Sequence, residues 1–455
     1  MIRTTLLRLR PLTLATSIVL ACGAPGAAAQ SLIELYEAAR TYDAPYLSAR
    51  KLFEANQTRV EQSRAGLLPT AAIAASVQRA HITAYPDLGG PAANIDRPYG
   101  TKSATVSASQ PLYRPANLAT YHQGVRQAAL AEAQLQAAEQ DLMVRVSQAY
   151  FDVLASSDAL TFVRAQKAAV AEQLAAAKRN FEVGTSTITD TREAQARFDL
   201  VRAQEIAADN DLTVKKLALD QLVGRAGTRP LPLPASPELP ALAVEQMESW
   251  VAQGQDAHPS IRQARLALEV AELETAKAQA GHKPTVDLVA SYGMTRNDNG
   301  TATSGVSSVG SRVYVGVLGV NLNVPLFAGY AVEGRVKETL ALEAKARTDL
   351  EGASRAVAQS TRTALFGVVS GQGQVKALEA AEASSQSALD ANKLGYQVGV
   401  RINIDVLNAQ SQLFQTKRDL AKARYDVLLG GLKLRQANGT LKMDDLRDTS
   451  KLLVR

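Results

Sequence analysis

Residues 395–408 read G-Y-Q-V-G-V-R-I-N-I-D-V-L-N, and residues 180–190 read N-F-E-V-G-T-S-T-I-T-D. In the first stretch Gly399 separates two helical runs, and glycine tolerates the left-handed conformation that ends a helix. Asn403 is placed to cap the following helix, with Asp405 in its first turn near the positive helix end. Alone, this is a helix–turn–helix corner with an acid at a helix start. The second stretch makes it one of a pair. Phe181 aligns with Tyr396, Val183-Gly184 with Val398-Gly399, Asp190 with Asp405, and Ala194-Gln195 with Ala409-Gln410, at an offset of 215 throughout.

The repetition extends along the chain. Pro45 pairs with Pro259, Ala65-Gly66 with Ala280-Gly281, Pro69-Thr70 with Pro284-Thr285, Pro111-Leu112 with Pro325-Leu326, Phe151 with Phe366 and Gly224 with Gly439. An offset constant over most of the length marks a tandem duplication. Five prolines from Pro230 to Pro240 predict an extended, helix-free connection between the copies. The expected organisation is residues 1–29 as an export signal, 30–224 as the first repeat, 225–244 as the linker, 245–439 as the second repeat and 440–455 as a tail.

Each copy predicts a short helix restarted at a proline, two strands, one very long helix, the glycine corner and a returning helix. Ala104, Val106, Ala108 and Leu112 alternate with Thr105, Ser107 and Ser109. Val286, Leu288, Ala290, Tyr292 and Met294 repeat the pattern, as do Tyr314, Leu318, Val320, Leu322, Val324 and Leu326 over 314–326. Period-two alternation gives one apolar and one wetter face. A soluble sandwich and a membrane barrel both meet that description. The links within the strand pairs are expected at 81–100 and 297–311.

Residues 116–182 contain no proline and only Gly124. As one helix they span roughly 100 Å, with small, alanine-rich seams suited to close coiled-coil packing. The helices expected at 45–66 and 187–224, stacked end to end, nearly match that length. Four strands per chain cannot close a barrel, and an open edge is untenable in lipid. Two chains give eight strands and a filled interior; three give twelve and room for water, which the small, polar inner faces favour.

The amino terminus fits a secretory signal. Arg3, Arg8 and Arg10 precede an apolar run, and Ala27-Ala28-Ala29 forms a small-residue cleavage site before Gln30. Its removal takes three of the six net positive charges, leaving a balance too mild to call for nucleic acid. Cys22, the only cysteine, lies inside the signal, where Val19–Gly23 loosely resembles a lipoprotein processing site. His81, His122, His258 and His282 have no metal-ligand spacing, and no phosphate loop or nucleophile elbow is present. An enzyme is not expected, and no cofactor or metal is called for.

With its two corners, the Gly66–Pro69 and Gly281–Thr285 helix-to-strand breaks and Ala423-Arg424-Tyr425, the chain resembles the TolC family of outer-membrane exit ducts over essentially its whole mature length. The resemblance implies a mainly α fold with a membrane β-barrel. Three chains would close a twelve-stranded barrel in outer-membrane lipid of a Gram-negative cell, continuous with a periplasmic α-helical barrel. It also implies a periplasmic adaptor (a membrane fusion protein) and an inner-membrane transporter, ABC-type or proton-driven, as partners of the homotrimer. The turns at Gly184 and Gly399 would form the periplasmic tip. Tyr396 and Arg401 match residues that hold the inner helix pair, and Thr189 and Asp190 match their partners on the outer pair. Asp405 matches one acidic ring of the pore; Asn408 stands where a second acid is found. Type I secretion is favoured over lipid-anchored drug efflux, and a secreted coiled-coil scaffold is the reading from another class.

Overall fold

The computed structural model describes residues 29–84, 95–234, 247–299 and 310–453. Cys22 and nearly all of the expected signal fall outside them, as do both hairpin tips and the second half of the linker. The described elements are α1 (Leu32–Tyr42), α2 (Ala44–Ala65), β1 (Thr70–Ala84), β2 (Ile95–Tyr113), α3 (Pro115–Glu182), α4 (Ile188–Val223), α5 (Met247–Ala257), α6 (Pro259–Gln279), β3 (Thr285–Asp298), β4 (Ser311–Asn323), α7 (Ala331–Gln397), α8 (Asn403–Ala437) and α9 (Met443–Lys451).

The four strands form one antiparallel sheet in the order β1-β2-β3-β4, leaving β1 and β4 as edges. Two boundaries differ from expectation. The first hairpin link is shorter than 81–100, because β1 runs to Ala84 and β2 starts at Ile95. Cross-strand pairing carries the polar residues between them into the ladder. Strand β4 ends at Asn323 rather than continuing to Leu326, since Pro325 has no N–H to offer a ladder.

Register decides the faces. Ile73 pairs with Val106, Val106 with Tyr292 and Tyr292 with Gly316. Leu288 pairs with Val320, and Val286 with Leu322. The apolar alternations therefore share one face. The other carries Ser76, Ser103, Thr105, Ser107, Ser291 and Thr295, with a Ser76–Ser103 hydroxyl contact of 2.8 Å across β1–β2.

Helix α3 is 68 residues and α7 is 67, each about 100 Å long. Along α3 lie α2 and α4, and α7 is covered in the same way by α6 and α8. The halves meet through α3–α6 and α3–α8. Where sheet and helices join, Arg114 donates two hydrogen bonds to Asp287 at 2.7 and 2.6 Å, fixing the start of α3 to β3.

The main core lies midway along α3. There Leu32, Leu35 and Tyr36 of α1 meet Leu142, Val146, Tyr150 and Phe151 of α3, Leu219 of α4 and Leu428 and Leu432 of α8. Phe151 packs edge-on to Tyr150 at 5.7 Å and against Tyr425 at 5.9 Å. The Tyr150 hydroxyl accepts from Leu231 N at 2.7 Å, fastening the extended connection after α4. Asp43 joins α1, α2 and α3. Its carboxylate accepts from Tyr46 N and, through both oxygens, from Arg145 at 2.9 and 2.8 Å. The Arg145 guanidinium holds this buried carboxyl below the usual range, outweighing the opposing effect of burial.

Candidate functional site

The two corners close in the same way at the end of the helices farthest from the sheet. Thr185 N and Ser186 N both reach Asn180 O, at 2.8 and 3.2 Å. Val400 N and Arg401 N both reach Gly395 O, at 2.9 and 3.1 Å. Gly184 and Gly399 have φ of +78° and +80°, which other residues adopt only with strain. Gly395 serves differently: a Cβ there would lie 2.7 Å from Arg401 Cγ, so the bare backbone lets the arginine stem fold back across it.

The helices leaving the corners start differently. Thr187 caps α4 in a capping box with Asp190. At the matching position α8 has Ile402, which makes no side-chain cap. The capping role expected of Asn403 is thus corrected. Asn403 is the first helical residue, fully buried, and it bridges to the other helix pair. Its amide donates to Asp190 O at 3.2 Å, and its oxygen accepts from Gln173 at 2.5 Å.

Tyr396 is half-buried, and its hydroxyl accepts from Asn180 of α3 at 3.3 Å. Asn408 accepts from Arg197 of α4 at 2.7 Å. Thr189 is exposed. Arg401 and Asp190 are not brought together within the chain. One Asp190 oxygen accepts from Thr187 N and Oγ1 at 3.0 and 2.9 Å, while Arg401 lies 3.7 Å from Asp405, one turn along its own chain. That exposed pair contributes little, and it places a cation beside the acid expected to line the pore.

Apolar packing joins the pairs beneath these links. Leu407 is fully buried in the α3–α4 cluster of Val163, Val170, Leu174, Ala177, Ala194 and Val201, with Ile404 packed against it. On the other side Val406 packs with Leu389 and Leu413, and Tyr396 covers them. Sequence reasoning missed Asn403, Gln173, Asn180 and Leu407 as linking residues. The one available signal was that Ile188 of the first copy becomes Asn403 in the second: a polar side chain replaces an apolar one at a repeated position.

Among the described residues no group of His, Cys, Asp and Glu is arranged to hold a metal ion, and no helix is long and apolar enough to cross a membrane. The tip offers hydrogen-bond links and exposed charges between two helix pairs.

The sequence profile of the outer membrane efflux protein family matches residues 35–225 and 250–440. Outer membrane protein TolC of Vibrio cholerae is 35% identical over 424 residues, 93% of this chain and 93% of that protein. The alkaline protease secretion protein AprF of Pseudomonas aeruginosa is 30% identical over 357 residues, 77% of this chain and 72% of its own. Among solved structures, the outer membrane protein VceC of Vibrio cholerae superposes with a TM-score of 0.75 at 21% identity, covering 90% of this chain and 96% of its own.

Proposed function

Since the chain belongs to the outer membrane efflux protein family, an outer-membrane channel protein reaching into the periplasm rather than an enzyme, we propose that it is a homotrimeric exit duct gated at its helix tips. Two features support the trimer. The sheet has open edges at β1 and β4, and an unpaired edge is not tolerated in lipid. Leu340, Leu342 and Phe366 of α7 are also left exposed in the single chain. Three sheets supply twelve strands, enough for a water-filled lumen lined by the serine and threonine face.

The gate reading rests on one observation: a few hydrogen bonds at the tip join α3–α4 to α7–α8, from Tyr396 to Asn180, Asn403 to Asp190 and Gln173, and Asn408 to Arg197. Each neutral link contributes about 0.5–1.5 kcal/mol net and the one from Arg197 about 1.5–3 kcal/mol, so three copies sum to an amount that a docking partner is able to reverse. In this reading Thr189, Asp190, Tyr396 and Arg401 are gate residues. Asp405 faces the constriction with its charge offset by Arg401, and Asn408 adds no second acidic ring. The glycine turns at Gly184 and Gly399 shape the surface offered to a periplasmic adaptor and an inner-membrane transporter. The relative named for alkaline protease secretion favours protein export by a type I system; drug efflux is the alternative cargo class.

The test is conductance in a planar bilayer. Tyr396→Phe combined with Arg401→Ser should leave the trimer assembled and raise conductance severalfold over the parent. A folded, trimeric double variant that conducts no better than the parent overturns the assignment of these residues as the latch.

A further inference from the structure

The apolar sheet face does not end on neutral residues. Moving away from the helices it passes Tyr292 and Tyr314, stacked with ring centres 6.5 Å apart. The next row on that face is Lys102, Arg296 and Arg312. Lys102 pairs directly with Arg296, and Arg296 directly with Arg312, on three adjacent strands. Arg79 follows one row further out, since Val77 is the partner of Lys102.

Like charges directly opposite one another across strands oppose pairing unless anions sit among them. One carboxylate reaches the row from the next one out: Asp298, the partner of Gly100, at 3.3 Å from Arg296 and 3.6 Å from Lys102. Asp96, on the same face, is engaged by His81 and Thr83. Arg312 and Arg79 are exposed and have no ion pair among the described residues. Among the described residues here, four Lys and Arg side chains thus share the face with two carboxylates.

Height gives the row a place. From Leu322 to Arg312 is about 10 residues, roughly 33 Å of strand. Tilted by about 40°, that strand rises roughly 25 Å, the height of the outward apolar band of a membrane barrel. The helices leave from the Leu322 end, which is the periplasmic side. The cation row therefore lies at the outer boundary of the hydrocarbon, directly beyond a tyrosine pair of the kind that marks an interface.

We infer that Lys102, Arg296, Arg312 and Arg79 form an outward-facing band that binds phosphate groups on the headgroups of outer-leaflet lipid. Guanidinium forks match phosphate oxygens in pairs and supply the anion that the row lacks. The apolar face below them receives the acyl chains of the same molecule, so one lipid meets both features. Such a band fixes the barrel's height in the membrane.

The experiment places the full-length protein in nanodiscs of phosphatidylethanolamine carrying either a bisphosphorylated glycolipid or its dephosphorylated form. Native mass spectrometry then counts the glycolipids retained. The parent is expected to keep the phosphorylated form and to lose the dephosphorylated one. The Lys102→Gln/Arg296→Gln/Arg312→Gln variant is expected to retain roughly tenfold less of the phosphorylated form. Arg312→Gln alone breaks no ion pair among the described residues and should give a roughly threefold loss, which covers the case in which the triple variant fails to insert. Equal retention of the two glycolipids by the parent, or unchanged retention in either variant, overturns the assignment. Tip conductance is not read by this measurement, so the gate proposal stands or falls separately.

Discussion

Asn403 shows how one side chain changes the use of a repeated corner. In the first copy the start of α4 is satisfied locally by Thr187 and Asp190. In the second, the polar side chain is buried and turned outward from its own helix, donating to Asp190 O and accepting from Gln173. Removing it takes away two part-buried hydrogen bonds, each contributing about 0.5–1.5 kcal/mol net. Asn403→Ala is therefore expected to loosen the joint between the helix pairs and raise bilayer conductance, alone and without the Tyr396 and Arg401 changes. Asn403→Ala with parental conductance would show that the apolar contact of Leu407 is enough to hold the joint. Gly395 belongs at this scale too, because its missing Cβ admits the Arg401 stem and so sets where that cation sits.

At the scale of elements, α1 and α2 are held to the middle of α3 by Asp43, which caps α2 and pairs with Arg145. Its carboxyl titrates below its unfolded value. The folded state thus binds fewer protons here than the unfolded chain does. The stabilisation is fully present above the ordinary aspartate pKa of about 3.9 and fades as pH falls through the lower folded value. Asp43→Ala should destabilise the protein by roughly 1–3 kcal/mol at neutral pH, from the lost cap and the buried acceptor. The gap between variant and parent should narrow as the pH is lowered below about 4. Thermal melts of both proteins in detergent across that range check the sign; a gap that widens in acid would contradict it.

At the scale of the molecule, the single chain is incomplete in two places. Strands β1 and β4 present unpaired edges, and α7 exposes Leu340, Leu342 and Phe366. Both are resolved by the same symmetric assembly, because closing the barrel brings neighbouring helix pairs side by side. Mass measurement in detergent should give three chains. A stable monomer or dimer would remove the basis for a water-filled lumen, since four strands cannot close and eight leave no open interior.

The sequence by itself determined the repeat, the element order, the length of α3 and the two-faced alternation of each strand. These follow from local rules: glycine at the corners, proline at helix starts, period-two alternation, and a long stretch without breakers. It also singled out the tip, because Val398-Gly399 and Val183-Gly184 stand at one offset. What it could not decide was pairing. The resemblance points Arg401 to Asp190 across the helix pairs, whereas within the chain it lies 3.7 Å from Asp405, a local contact one turn along. Asn403 reads as a cap until the neighbouring pair buries it. Lys102, Arg296 and Arg312 lie on three strands and become one row only through register. Periodicity acts along the chain and is legible there. Which side chains meet depends on how distant helices and strands align, and that alignment is set by packing between elements far apart in sequence.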